Sequence, residues 1–208
     1  MTATTGGQYR VLRVGPATSE LLVLDRSSFE PVEIEVESGG PVPRERQEGL
    51  RPGYLIDATL SWTDGTARLG SLDVIEPTLF AFADGVTNLF EVALDTWSEA
   101  RAEGSGINST ITYSNDGAPN GALYTFAQQP GERDIFAEFQ DGRRPLEPLL
   151  DRIDEEPPYE VFVFRPATHE FVLVYVVLAK GSMLADTVRD TYDCPRPSEP
   201  LLENSVNS

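Results

Sequence analysis

Over residues 54–76 the side chains alternate. Tyr54, Ile56, Ala58, Leu60 and Trp62 fall on one face of an extended chain, and Leu55, Asp57, Thr59 and Ser61 on the other. Asp64-Gly65 ends the run and starts the next one, at the two positions where a tight hairpin requires positive φ. A lone hairpin is barely stable in water, so this one must find further strands. Three precede it: residues 9–14 alternate, residues 20–25 follow the Gly15-Pro16 turn signal, and Val32, Ile34 and Val36 alternate with Glu33, Glu35 and Glu37. Residues 38–53, rich in glycine and proline, form a loop with one helical turn around 44–50. Five short strands are too few for a sandwich. They predict a small antiparallel β-barrel of oligonucleotide-binding (OB) or SH3-like type over residues 8–77.

Residues 78–192 read as a second, α+β domain. A helix is expected over 84–104, with Val86, Leu89, Phe90, Ala93, Leu94, Trp97 and Ala100 on one stripe, Asp84 as its cap and Gly104 at its end. Glu91, Asp95, Glu99 and Glu103 recur every four residues on another face, and exposed carboxylates stacked in this way seldom converge on one ion. Strands are expected at 107–114 and 121–128, then a helix carrying Ile135, Phe136 and Phe139 and another from Pro145 carrying Leu146, Leu149, Leu150 and Ile153. Residues 159–165 and 170–179 form a hairpin whose continuous apolar content points to burial on both faces. Ser182 caps a last helix. The expected architecture is an antiparallel sheet covered by helices, followed from residue 193 to 208 by a proline-rich, disordered tail.

The charge is lopsided: 34 acidic against 16 basic residues, net −18, with Lys180 the only lysine. In molar salt the Debye length is roughly 3 Å, so dense surface carboxylates no longer repel across the surface. Short, strongly hydrated acids then keep a chain dispersed where long lysine stems would stick. The composition therefore predicts a protein of a salt-loaded cytoplasm. It also makes nucleic acid an improbable partner, since binding by counterion release collapses at high salt. The longest apolar run, residues 171–179, is nine residues, well under the ~18 that cross a bilayer, so no membrane partner is expected. One cysteine, Cys194, excludes an intrachain disulfide and multi-cysteine metal sites.

Chemistry is sparse. His169 is the single histidine, in the turn between the last two strands, and no phosphate-binding glycine motif is present, so no cofactor or metal is expected. Two polar stretches stand out. Asn115, Asp116 and Asn120 occupy one loop, while Arg133, Arg143 and Arg144 bracket a short helix; together they would line a cleft that takes an anionic or carboxylate ligand through forked guanidinium groups. The competing reading pairs these arginines with the abundant surface carboxylates. The leading expectation is a non-catalytic module that binds an unidentified partner protein or small molecule in the groove between the two domains. A second is a single-stranded nucleic-acid binder that stacks bases on Tyr54 and Trp62, although both residues also suit a core. A third is an enzyme using Asp116 with Glu132 or Asp134 as a carboxylate pair.

Three segments carry a resemblance: Leu50-Arg-Pro-Gly-Tyr-Leu-Ile-Asp-Ala-Thr-Leu-Ser-Trp-Thr-Asp-Gly65, Asn120-Gly-Ala-Leu-Tyr-Thr-Phe-Ala-Gln-Gln-Pro-Gly131 and Ser182-Met-Leu-Ala-Asp-Thr-Val-Arg-Asp-Thr-Tyr192. They resemble a family of haloarchaeal proteins known only as a domain of unknown function, over residues 8–192. The resemblance implies a halophilic archaeal origin. It supplies no activity, ligand or catalytic residue.

Overall fold

The hairpin forms as expected. In a computed structural model that describes residues 3–16, 19–36, 39–129, 131 and 133–200, β4 (Leu55–Thr63) and β5 (Thr66–Glu76) pair antiparallel through Asp64 and Gly65, both at positive φ. β1 (Ala3–Val14), β2 (Glu20–Asp25) and β3 (Pro31–Glu35) join them in the closed order β1-β2-β3-β5-β4. Its interior holds Val11, Val23, Ile34, Tyr54, Ile56 and Leu60, and α1 (Arg44–Glu48) is the helical turn between β3 and β4. The ring is not wholly antiparallel. β3 runs parallel to β5, Ile34 opposite Ala67, because α1 and its flanking loops lead from β3 to a β4 that pairs with β1, and β5 then returns antiparallel to β4 to close the ring beside β3.

The second sheet has the order β6-β9-β10-β8-β7 and corrects two expectations. Residues 84–90 are not helical. β6 (Leu79–Val86) is a strand, and α2 (Glu91–Ala102) starts only after it. Asp84 pairs with Arg165 across the sheet instead of capping a helix. The sheet is also mixed, since β6 runs parallel to β9 (Glu160–Pro166), Phe80 opposite Val161. That pairing requires a long crossover, and everything from α2 to α4 supplies it. The remaining neighbours are antiparallel: β9 with β10 (Phe171–Val177), β10 with β8 (Pro119–Ala127), and β8 with β7 (Ile107–Tyr113).

β10 is buried along its whole length. Val172, Val174 and Val176 face one core with α3 (Ile135–Gln140) and α4 (Glu147–Leu150); Phe171, Leu173, Tyr175 and Val177 face another with α2 and α5 (Met183–Thr191). Ser182 caps α5 by accepting from the Ala185 N–H, as its position predicts.

The first core also joins the two sheets. Leu12, Leu22 and Leu24, on the outside of the ring, pack with Phe139, Leu146 and Leu150. At Gly142, φ is +79° and a Cβ would lie 2.6 Å from Leu12 Cδ1, so only glycine allows this close approach. Inside the seam, Arg10 is 3% exposed and donates to Glu147 Oε1 (2.9 Å), Glu76 Oε1 (2.7 Å) and Gly53 O (2.9 Å). The groove expected between the halves is filled by these contacts.

Residues 193–200 have no helix or strand, yet they make specific contacts where a disordered tail is expected from composition. Cys194 is buried, Arg196 pairs with Glu160 and Asp186, and Glu199 accepts from Lys180 Nζ and Tyr54 Oη, both at 2.5 Å. The strap spans the second sheet and the ring, and long-range charges hold it where its prolines alone would not. Residues 201–208, the rest of that expected tail, lie outside the described residues.

Candidate functional site at the open edge of the second sheet

β8 separates the two polar stretches singled out in the sequence. Asn115 and Asp116 sit in the turn before it, where Ser114 donates to the Asp116 carboxylate and holds its pKa below the usual carboxylate range. Asn120 lies at its start. Arg133, Arg143 and Arg144 follow its other end, roughly 25 Å away at the rise of an extended strand. They are also engaged: Arg133 and Arg144 both reach the buried Glu138, at 2.6 and 3.4 Å, and Arg143 pairs with Asp141 at 2.7 Å. The structure does not bring these six residues into one cleft. The same strand separates Asp116 from Asp134, which caps α3 through the Ala137 N–H and pairs with Arg165. Glu132 lies outside the described residues.

Tyr54 and Trp62 are not a stacking platform. Tyr54 is fully buried under Glu199 and Lys180, and burial first, then the Glu199 carboxylate, push its hydroxyl pKa up. Trp62 is half-buried against the ring's core and donates from Nε1 to Thr5 Oγ1 at 2.9 Å. His169 is exposed in the β9–β10 turn and, among the described residues, meets only Thr168 and the Phe171 ring.

Asn120, by contrast, belongs to a concave site. Where β7 and β8 meet the ends of α2 and α5, a cleft of about 420 Å³ opens, within the 300–1,000 Å³ typical of ligand pockets. Phe90 and Val92 form one wall, Leu184 of α5 another, and Ile111 to Tyr113 of β7 the rim. Phe90 stands edge-on to Tyr175, 6.4 Å between centroids.

The floor is a short polar chain. Thr112 Oγ1 donates to Asn120 Oδ1 at 2.8 Å and lies 2.9 Å from Tyr175 Oη. With its proton committed to Asn120, the threonine oxygen must accept from the tyrosine. The Asn120 amide nitrogen has no partner among the described residues and is free to donate. Burial raises the pKa of Tyr175. Gly121 permits the arrangement, since a Cβ there would lie 2.5 Å from Thr112 Oγ1 and 2.6 Å from the Tyr175 ring. Among the described residues no basic side chain lines the cleft, and Glu91 is the one charged residue on it.

Sequence reasoning missed Phe90, Ile111, Tyr113, Tyr175 and Leu184. A signal was there: from Gly104 to Gly131 the only charged residue is Asp116, in a chain that is 24% charged. That stretch is β7, its turn and β8. Among the described residues no group of three or more His, Cys, Asp or Glu could hold a metal ion, and no helix is long and apolar enough to cross a membrane. No curated protein and no solved structure matches this chain, whereas one protein-family description matches residues 1–197.

Proposed function

The chain belongs to that family, a family of unknown function (DUF6663), and with no activity to inherit from it we propose a non-catalytic binding module whose site is the cleft rimmed by β7. The observation that carries this reading is a concave, largely apolar site whose floor presents a free amide donor beside Tyr175, bordered by an exposed strand without charge. Two aromatic side chains, Phe90 and Tyr175, offer contact area at low entropic cost, and among the described residues nothing in the cleft is arranged for proton or group transfer. Asn120 sets the orientation of the ligand. Arg133, Arg143 and Arg144 are assigned to the support of α3 and its following turn instead.

We read the first sheet as an OB-type barrel. Strand order β1-β2-β3-β5-β4, the parallel β3–β5 contact and a helix between β3 and β4 support that assignment. What weighs against a single-stranded nucleic-acid role is the state of the face such barrels use. Leu22 and Leu24 of β2 are covered by α3 and α4, and the remaining side chains of β2 and β3 include Glu20, Glu33 and Glu35. The net charge of −18 with a single lysine supports residence in a salt-loaded, haloarchaeal cytoplasm.

The experiment is a melting-temperature screen of metabolites and short peptides in molar KCl, repeated on Tyr113→Ala and Leu184→Asp. A stabilising compound whose shift is lost in both variants is the expected result. A shift retained in both overturns the assignment of the site.

A further inference from the structure

β7 is the outer strand of its sheet, and among the described residues nothing pairs with its free side. Gly106 O accepts from the Ala127 N–H and the Ser114 N–H donates to Ala118 O, so even-numbered residues turn their backbone groups toward β8. Ile107, Ser109, Ile111 and Tyr113 turn theirs outward. Local side chains occupy part of that edge: Ser105 Oγ bonds both backbone groups of Ile107, and Asn108 Oδ1 accepts from the Ser109 N–H. Among the described residues, Ile111 and Tyr113 have no such cover.

Natural sheets blunt their edges with lysine or proline. This strand has neither, and Ile107, Ile111 and Tyr113 stand 53%, 46% and 62% exposed in a continuation of the apolar face of Phe126 and Ala122 on β8. On the opposite face runs α2. Asn108 Nδ2 donates to Thr96 O (3.0 Å) and reaches Glu99 Oε2 (3.5 Å), which sets Glu99 above the strand. Asp95 and Glu103, four residues to either side, share that side of the helix. All three are exposed, and none forms an ion pair among the described residues.

This charge decides between occupants. A second copy paired through β7 would bring α2 against α2 and set one row of Asp95, Glu99 and Glu103 against its equal, a like-charge contact that disfavours association. A cationic strand meets the opposite field. We propose that β7 accepts an extended segment of a partner protein as a sixth strand, with basic side chains alternating toward the α2 carboxylates and apolar ones toward Ile107, Ile111 and Tyr113. This rests on the cleft being the binding site, since β7 is its rim, and adds the chemistry of the partner.

The test uses labelled seven-residue peptides: alternating Val/Arg, alternating Val/Thr, and alternating Val/Glu. Binding is followed by fluorescence anisotropy at the lowest KCl concentration that leaves the far-UV spectrum unchanged, with amide hydrogen exchange as a second readout. The Val/Arg peptide should bind about tenfold more tightly than Val/Thr, as three exposed ion pairs allow, and Val/Glu should bind least. It should also slow exchange at Ile111 and Tyr113. Asp95→Asn/Glu99→Gln/Glu103→Gln should remove the tenfold advantage and leave Val/Thr binding unchanged; Ile111→Lys should weaken both. An advantage that survives the triple variant, binding without protection of β7, or no binding by any peptide overturns the proposal. So does a concentration-dependent dimer that protects β7 without peptide, which gives the edge to a second copy. If small molecules still shift the melting point through Tyr113 and Leu184 after such a failure, the cleft stands and only its partner is lost.

Discussion

Removing the Arg10 side chain should strike the seam between the two sheets harder than any surface change. Among the described residues Arg10 is the one cation in contact with Glu147, which is fully buried with its second oxygen, Oε2, unpartnered. In Arg10→Met the methionine fills much of the space beside Phe80, but Glu147 is left as an uncompensated interior charge. Breaking a buried pair in this one-sided way costs about 3–5 kcal/mol. For a chain of this size that lowers the melting temperature by roughly 10 °C. Replacing both partners, Arg10→Met/Glu147→Met, removes the stranded charge together with its counterion and should recover most of the loss. Glu76 keeps its hydrogen bond from Thr78 Oγ1 at 2.6 Å in either variant. The assay is urea unfolding in molar KCl, read by circular dichroism. Because the pair is buried, the penalty should change little with salt. A single variant within about 1 kcal/mol of the parent, or a double variant no more stable than the single, would refute the reasoning.

Other outcomes follow from local geometry. Gly121→Ala drives a methyl into Thr112 and the Tyr175 ring, so it should cost about 1–3 kcal/mol and abolish any melting shift produced through the cleft. Asp84 is held below the usual carboxylate range chiefly by the Arg165 hydrogen bond, and Asp134 chiefly by the Ala137 N–H, with Arg165 adding to it. Depressed values stabilise the fold above the unfolded pKa near 4, and that contribution is lost as pH falls through the folded values. Acid titration of Arg165→Gln should therefore show a shallower loss below about pH 4, by under about 1 kcal/mol because these groups are exposed. If the charge reflects life in brine, the melting temperature should be far higher in about 3 M than in about 0.1 M KCl, and equal values would remove that reading.

Much of the fold is legible because its cues are local. Asp64-Gly65 specifies its hairpin, Ser182 its helix start, and the unbroken apolar run of β10 its burial on two faces. What eluded the sequence depends on distant partners. Asp84 to Phe90 can be counted into a helical stripe, until Arg165 and β9 claim Asp84 and Val86 for a strand. The parallel contacts Ile34 with Ala67 and Phe80 with Val161 leave no local trace. Prolines after residue 193 suggest disorder, whereas Glu160, Lys180 and Tyr54 hold the strap by pairs that only the folded chain creates. The cleft was half-legible. Asn120 could be singled out as a polar loop residue, but Tyr175 and Leu184 reach it from elements more than fifty residues later.

The placement of the site can be checked with the protein's own two tryptophans, one in each half of the fold. Trp62 lies on the ring, and Trp97, stacked on Phe171 at 5.1 Å, lies on α2 behind the cleft. Titrating a bound peptide or metabolite into Trp62→Phe should change the emission of Trp97, and the same titration of Trp97→Phe should leave Trp62 unchanged. The reverse pattern, with Trp62 responding and Trp97 silent, would move the site to the ring and contradict the account.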